Sequence, residues 1–184
     1  MNRSTLDKLI SSTGLIVAVL LLAAAGGLFY AHNFIHRQVH DQLAAEQISF
    51  PAANSPALNS LPEADQDAMS QYAGQQLLTG AQAEVFANHY IAVHLKNIGN
   101  GKTYSELSSA SMANPSDQAL AGKVQTVFRG ETLRGLLLNA YAFDTMASVA
   151  YVAAFVSAVA GLVLLVLAGL GFRHAGLSTQ KHRK

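Results

Sequence analysis

The stretch VAYVAAFVSAVAGLVLLVLAGLGF, residues 149–172, carries no charge, and its polar side chains are one tyrosine and one serine. As an α-helix it rises about 1.5 Å per residue, enough to cover a hydrocarbon core of roughly 30 Å. A second uncharged stretch, LISSTGLIVAVLLLAAAGGLFY, residues 9–30, lies toward the other end of the chain. Both read as transmembrane helices. Within the latter, AAAGG behind Arg3 and Lys8 resembles a signal-peptide cleavage site. The apolar run exceeds a usual signal core, however, and a helix-permissive pattern continues past it to about Ile48. An uncleaved anchor is therefore expected.

Charged residues make up 12% of the 184, about half the share of a soluble globular domain. The deficit lies in the two apolar blocks, with a more polar region between them. Arg3 and Lys8 precede the first block, and Arg173, Lys181, Arg183 and Lys184 follow the second, whereas acidic residues outnumber basic ones between 31 and 143. The positive-inside rule then places both termini in the cytoplasm and the middle outside. The expected division is a cytoplasmic tail (1–8), a first span (9–30), an extracytoplasmic helical domain (31–143), a second span with its outer lead-in (144–172) and a basic cytoplasmic tail (173–184). Cysteine is absent, which rules out disulfides, thiolate metal sites and cysteine nucleophiles. With a net charge of +1 and no basic, aromatic face in the middle region, nucleic acid is not an expected partner.

In the middle region, AHNFIHRQVHDQLAAEQI reads as the first span's helix running on to near Ser49, before Pro51. The following SFPAANSPALNSLPE is loop-like, yet Phe50, Leu58 and Leu61 suggest that it lies along the domain. A helix is expected over ADQDAMSQYAGQQLL from Ala64, with Thr79-Gly80 as its break. Another is expected over AQAEVFANHYIAVHLKNIG, with Phe86, Tyr90, Val93 and Ile98 near one face. TYSEL reads as a capping box of Thr103 and Glu106. Asn114 and Pro115 are placed to open the last helix, which stays helix-compatible into the second span. Small residues four apart, Ala23 and Gly27 in the first span and Ala150, Ala154 and Ala158 in the second, offer faces for close helix contact. The fold class is all-α: two transmembrane helices extending into a small extracytoplasmic helical domain.

His32, His36 and His40 recur every four residues beyond the first span. On a helix, neighbours in this series could grip one metal ion, but His32 and His40 stand about 12 Å apart along the axis and cannot share it. The Glu of the HExxH arrangement is replaced by Asn33. A haem would need a facing ligand such as His89, His94 or Met69. Glu84 with His89 and His94 has the composition of a two-His, one-carboxylate site, although residues five apart diverge on a straight helix. The simpler reading gives an interfacial aromatic belt of Phe29, Tyr30 and Phe34, and a wet face of histidines with Arg37 and Asp41 that can respond to pH. The candidate interaction surface is VFRGETLRGLLLNAY, with Arg129, Glu131, Arg134 and Tyr141; Glu131 and Arg134 are i, i+3 partners.

Three stretches, YAGQQLLTGAQAEVFANHYIAVHL, GKTYSEL and FRGETLRGLLLNAYAF, carry a resemblance to a family of small, uncharacterised actinobacterial membrane proteins with two spans. Some members bear the label of aromatic ring-opening dioxygenases, and the residues here assemble no iron-ligand set to support it. The resemblance implies a bacterial membrane setting and no mechanism.

The expectation is thus a non-enzymatic accessory or scaffold subunit without catalytic residues, cofactor or metal. Its partners would be the lipid bilayer and another membrane protein or a second copy of itself. The alternatives are an extracytoplasmic ligand or pH sensor relaying through a partner, and a metal-dependent membrane enzyme using His36, His40, His89 or His94.

Overall fold

A computed structural model describes residues 3–181; Arg183 and Lys184, half of the basic tail inferred above, lie outside the described residues. The chain is all-helical, with no strand among the described residues. Two helices dominate. α1 (Arg3–Glu46) runs for 44 residues and stops where Gln47 adopts a left-handed φ of 52°. α7 (Gln118–Lys181) runs for 64 residues. Each is long and apolar enough to cross a membrane, and only 11% and 17% of their most apolar windows are buried. The chain divides into two compact units, one of Met1–Phe34 with Met146–Lys184, the other of Ile35–Thr145.

The first unit is an antiparallel helix pair. Ser4 Oγ donates to Ala175 O at 3.3 Å, and His32 Nδ1 meets Ala147 O at 2.8 Å. The buried positions are Ser11, Ala18 and Ala25 on α1 and Ala147, Ala154, Gly161, Ala168 and Ala175 on α7, each series spaced by seven. A strict seven-residue repeat holds one narrow seam against a partner and imposes a left-handed supercoil. Small side chains let the backbones approach: a Cβ on Gly161 would lie 2.9 Å from Leu22 Cγ and 3.2 Å from Ala18 O, and one on Gly171 would overlap Ser11 Oγ. The seam differs from the faces expected at four-residue spacing. Ala23 and Gly27 are exposed, and Ala154 is buried between half-buried Ala150 and Ala158. Four-residue spacing drifts round a helix, whereas the seam tracks the heptad.

The second unit combines the end of α1 and the start of α7 with α2 (Pro56–Asn59), α3 (Glu63–Ser70), α4 (Gly80–Val85), a π-helical segment (Phe86–Ile91), α5 (Ala92–Ile98) and α6 (Tyr104–Ala113). Its core joins Val39 and Leu43 of α1, Met69 of α3, Leu77, Phe86, Ile91 and Leu95, and Leu137 of α7. The proline-rich segment lies along the domain as expected, with Phe50, Leu58 and Leu61 all buried. Phe50 meets the edge of Phe86 at 5.3 Å between ring centroids.

Two boundaries and one helical phase differ from the sequence expectation. α3 stops at Ser70, because the chain turns through Gly74 (φ 71°) and extends so that Leu77 N–H reaches Ile48 O at 2.9 Å while the Leu77 side chain enters the core. Helix then restarts at a capping box of Thr79 and Gln82. The apolar face that follows is Phe86, Ile91 and Leu95, with Tyr90 and Val93 at its margin and Ile98 only half-buried. The π turn adds one residue and so shifts the helical phase. Finally, Asn114 closes α6 in place of opening α7. The cap of α7 is Asp117, whose Oδ1 accepts from Leu120 N–H at 2.9 Å. The capping box of Thr103 and Glu106 is present as read.

Candidate functional site: dispersed histidines and an open apolar groove

The regular spacing of His32, His36 and His40 does not make one site. In the helix pair, His32 Nδ1 donates to the Ala147 carbonyl, its ring 5.1 Å from that of Tyr151. In the second unit, His36 Nδ1 donates to Asp144 Oδ1 at 2.8 Å, and His40 Nδ1 to Asp41 Oδ1 of its own helix at 3.2 Å. Each imidazole directs a ring N–H to a different acceptor.

His89, His94 and Glu84 are separated in the same way. His89 Nδ1 donates to Asp65 Oδ1 at 2.7 Å, tying the π segment to α3. His94 donates to Tyr90 O within its own helical stretch. Glu84 accepts from Asn88 Nδ2 at 2.7 Å. Met69 is a core side chain with no exposed surface. Among the described residues, no three of His, Asp and Glu are placed to hold a metal ion.

Asp144 was not marked by the sequence reading, which placed it in the lead-in to the second span. It is boxed in: His36 bonds it on one side, and on the other a Cβ built on Gly80 would overlap its side chain. One signal did point to it, since a carboxylate beside a long apolar run is costly unless partnered.

The proposed interaction surface is only partly at the surface. Arg129 and Glu131 are exposed, and Tyr141 is 40% exposed. Arg134 turns inward instead: Nη2 donates to Asn88 Oδ1 at 3.0 Å, Nη1 lies 3.5 Å from Glu131 Oε2, and Nε is buried without an acceptor. The guanidinium thus completes a polar chain Glu84–Asn88–Arg134–Glu131 rooted in the π segment. The reason is helical phase. Arg134 lies on the inner side of α7 with Leu137, while Leu136 points away.

The open surface lies beside it. Val39, Gln42, Leu43 and Glu46 of α1 and Leu133, Leu136, Leu137, Asn139, Ala140 and Phe143 of α7 line a groove of about 370 Å³. Leu136 is 61% exposed and Phe143 53%. Leu133, Leu136, Ala140 and Phe143 follow three- and four-residue steps, the pattern of one helix face. The sequence pointed to this stretch as an interaction surface but did not say which leucines face out: Leu137 is core, and Leu133 and Leu136 are exposed.

At the start of α6, Thr103 N–H and Oγ1–H both donate to Glu106 Oε2, at 2.7 and 2.9 Å. These bonds, the backbone one foremost, hold the Glu106 carboxyl below its ordinary value of 4.5, with a smaller contribution from Lys102.

Comparison with protein-family models, curated proteins and solved structures finds no match to this chain.

Proposed function

We propose that this chain is a two-span integral membrane protein with both termini cytoplasmic, and that its unit of Ile35–Thr145 lies outside the membrane. It acts as a non-enzymatic accessory or scaffold subunit that docks a helix of a partner membrane protein. The observation that carries the docking reading is the open groove of α1 and α7, whose exposed Leu133, Leu136 and Phe143 no other part of the unit covers. Apolar strips left bare on a small unit mark interaction surfaces, and residues at helical spacing suit an amphipathic helix laid alongside. Supporting the membrane reading, Leu15, Ile16, Leu20, Val152, Phe155, Val163 and Leu167 all face outward from the helix pair. Water would penalise that surface, and lipid would not. The resemblance to actinobacterial two-span proteins suits the same setting.

The test is photo-crosslinking in intact membranes from residues placed at Leu136 and Phe143, with exposed Gln71 as the reference position. The expected result is a discrete adduct from the groove positions only, lost on adding Leu136→Asp. No adduct from either groove position, or equal adducts from Gln71, would remove the docking reading. Because the chain has no cysteine, a single cysteine at Asn59 reports topology: an impermeant maleimide should label it in intact cells. Labelling that needs opened cells would reverse the orientation.

A second reading is favoured by the two imidazole–carboxylate bonds, His36–Asp144 and His89–Asp65, each joining separate helical elements within the unit. Under it the protein senses acidity or a ligand outside and signals through its partner. Replacing His32, His36 and His40 with glutamine should then alter the response to pH, and an unaltered response would dismiss it. For the metal-dependent enzyme, stoichiometric zinc, iron or copper in the purified protein would be the decisive finding.

A further inference from the structure

The helix pair contains a cavity of about 520 Å³ between the first turns of α1 and the last of α7. Ile10, Leu164, Leu167 and Leu170 give it an apolar wall, and Asp7, Ser11 and His174 give it a polar end. Asp7 lines that end, and its Oδ2 has almost no surface open to water and no hydrogen-bond partner among the described residues. A carboxylate oxygen out of water without a donor is costly. Nearness to the N-terminus of α1 eases the charge but supplies no N–H at this depth in the helix. The unfilled requirement is therefore a donor, preferably cationic, carried on a molecule that also has apolar length.

The position narrows the choice. Asp7 lies two residues before the apolar stretch 9–30, and His174 two residues after the stretch 149–172. In the topology proposed above, on which this inference rests, the polar end of the cavity falls at the level of the inner headgroups and the apolar wall at the level of the acyl chains. We propose that this cavity is a binding site for an aminophospholipid. The primary ammonium pairs with the Asp7 carboxylate, His174 faces the phosphate, and an acyl chain lies along Ile10, Leu164, Leu167 and Leu170.

The chemistry discriminates among headgroups. A primary ammonium brings three N–H donors and a positive charge to the Asp7 carboxylate. A choline head carries the charge but no N–H. A glycerol head carries hydroxyl donors but leaves the net negative charge of its phosphate facing Asp7. Binding strength should follow the number of N–H donors on the head nitrogen.

The experiment titrates the delipidated full chain, purified in detergent, with phosphatidylethanolamine, its N-methyl and N,N-dimethyl forms and phosphatidylcholine, all with the same acyl chains, read by native mass spectrometry. Affinity should fall stepwise, by about tenfold from the first to the last. Asp7→Asn should flatten the series. Leu167→Trp, which fills the cavity and spares the carboxylate, should weaken all four lipids alike. Glycerophosphoethanolamine, the same head without chains, should not compete at equal concentration. A flat series for the native chain, a slope that survives Asp7→Asn, or full competition by the chain-free head would each overturn the proposal. If Asp7→Asn does not fold, as judged by its helical circular dichroism, the methylation series of the native chain decides alone. Failure of the membrane reading is read separately: the chain would then leave membranes in alkaline carbonate without detergent.

Discussion

His36 Nδ1 lies 2.8 Å from Asp144 Oδ1, bridging 108 positions of sequence and joining α1 to α7 within one unit. The Asp144 side chain is 17% exposed and that of His36 53%. Behind the carboxylate stands Gly80, where a Cβ would overlap Asp144. Two of the forces that hold the residue differ in kind, and they can be separated. The imidazole bond is half in water and should be worth about 0.2–1 kcal/mol. The close approach to Gly80 is a packing constraint, and Gly80→Ala should cost about 1–3 kcal/mol. Thermal unfolding of the purified chain should therefore show Gly80→Ala below His36→Gln. Gly135, in mid-helix with nothing within 4 Å of a Cβ, should move the other way, gaining about 0.5–1 kcal/mol as alanine. The reverse order of Gly80→Ala and His36→Gln would show that Asp144 is held by charge and not by fit.

That relationship also shows what a sequence can and cannot disclose. The two long apolar helices, the capping box at Thr103 and the burial of Phe50, Leu58 and Leu61 follow from local composition and spacing, and they were legible. The pairing of His36 with Asp144 was not, because it depends on the register between two helices far apart in the chain. The inward turn of Arg134 and the outward turn of Leu136 depend on the phase of α7, which a run of leucines does not declare. The π turn at Phe86–Ile91 is a one-residue change in winding with no marker in propensity. The seam of the helix pair was open to reading, since Ser4, Ser11, Ala18 and Ala25 recur every seven residues. Four-residue spacing of small residues is frequent in alanine-rich helices and drew attention away from it.

Asn88 links Glu84 to Arg134, at 2.7 and 3.0 Å. Asn88→Ala would strip both partners at once and leave an inward guanidinium with a buried Nε already lacking an acceptor. The expected loss is about 1–3 kcal/mol. Arg134→Met removes the orphan along with the charge and keeps the apolar stem, so it should be close to neutral in the Asn88→Ala background. A double-mutant cycle by denaturant unfolding measures the difference. Additive costs would mean that Asn88 and Arg134 act independently.

The depressed Glu106 carboxyl sets a pH dependence with a definite sign. The carboxylate is favoured in the folded state, so its contribution is complete above the ordinary value of 4.5 and fades as pH falls through the lower folded value. Carboxyl chemical shifts followed by NMR should show Glu106 titrating below 4.5, with the Thr103 amide signal moving in step. Glu106→Gln should abolish that coupled shift and loosen the start of α6 at neutral pH. A Glu106 midpoint at or above the ordinary value would mean that the capping box does not persist in solution.

The seam of the helix pair admits a direct geometric test, because the chain has no cysteine to confuse it. A Cβ on Gly14 would lie 3.9 Å from Ala168 Cβ, inside the window of roughly 3.5–4.5 Å that a disulfide requires. The doubly substituted chain, Gly14→Cys with Ala168→Cys, should close an intramolecular disulfide on mild oxidation. The mass would fall by two hydrogens, and alkylation would be blocked until reduction. Cysteines in place of Ala23 and Ala158 occupy the small-residue pattern that the structure does not use, Ala23 being exposed, and they should remain alkylatable under the same conditions. Both pairs sit in the same two helices, so non-specific collision would oxidise them alike. Closure of the Ala23 and Ala158 pair in preference to the Gly14 and Ala168 pair would place the contact on the four-residue face and rotate both helices away from the heptad seam. The cavity walls at Asp7, Ser11 and His174 would turn with them.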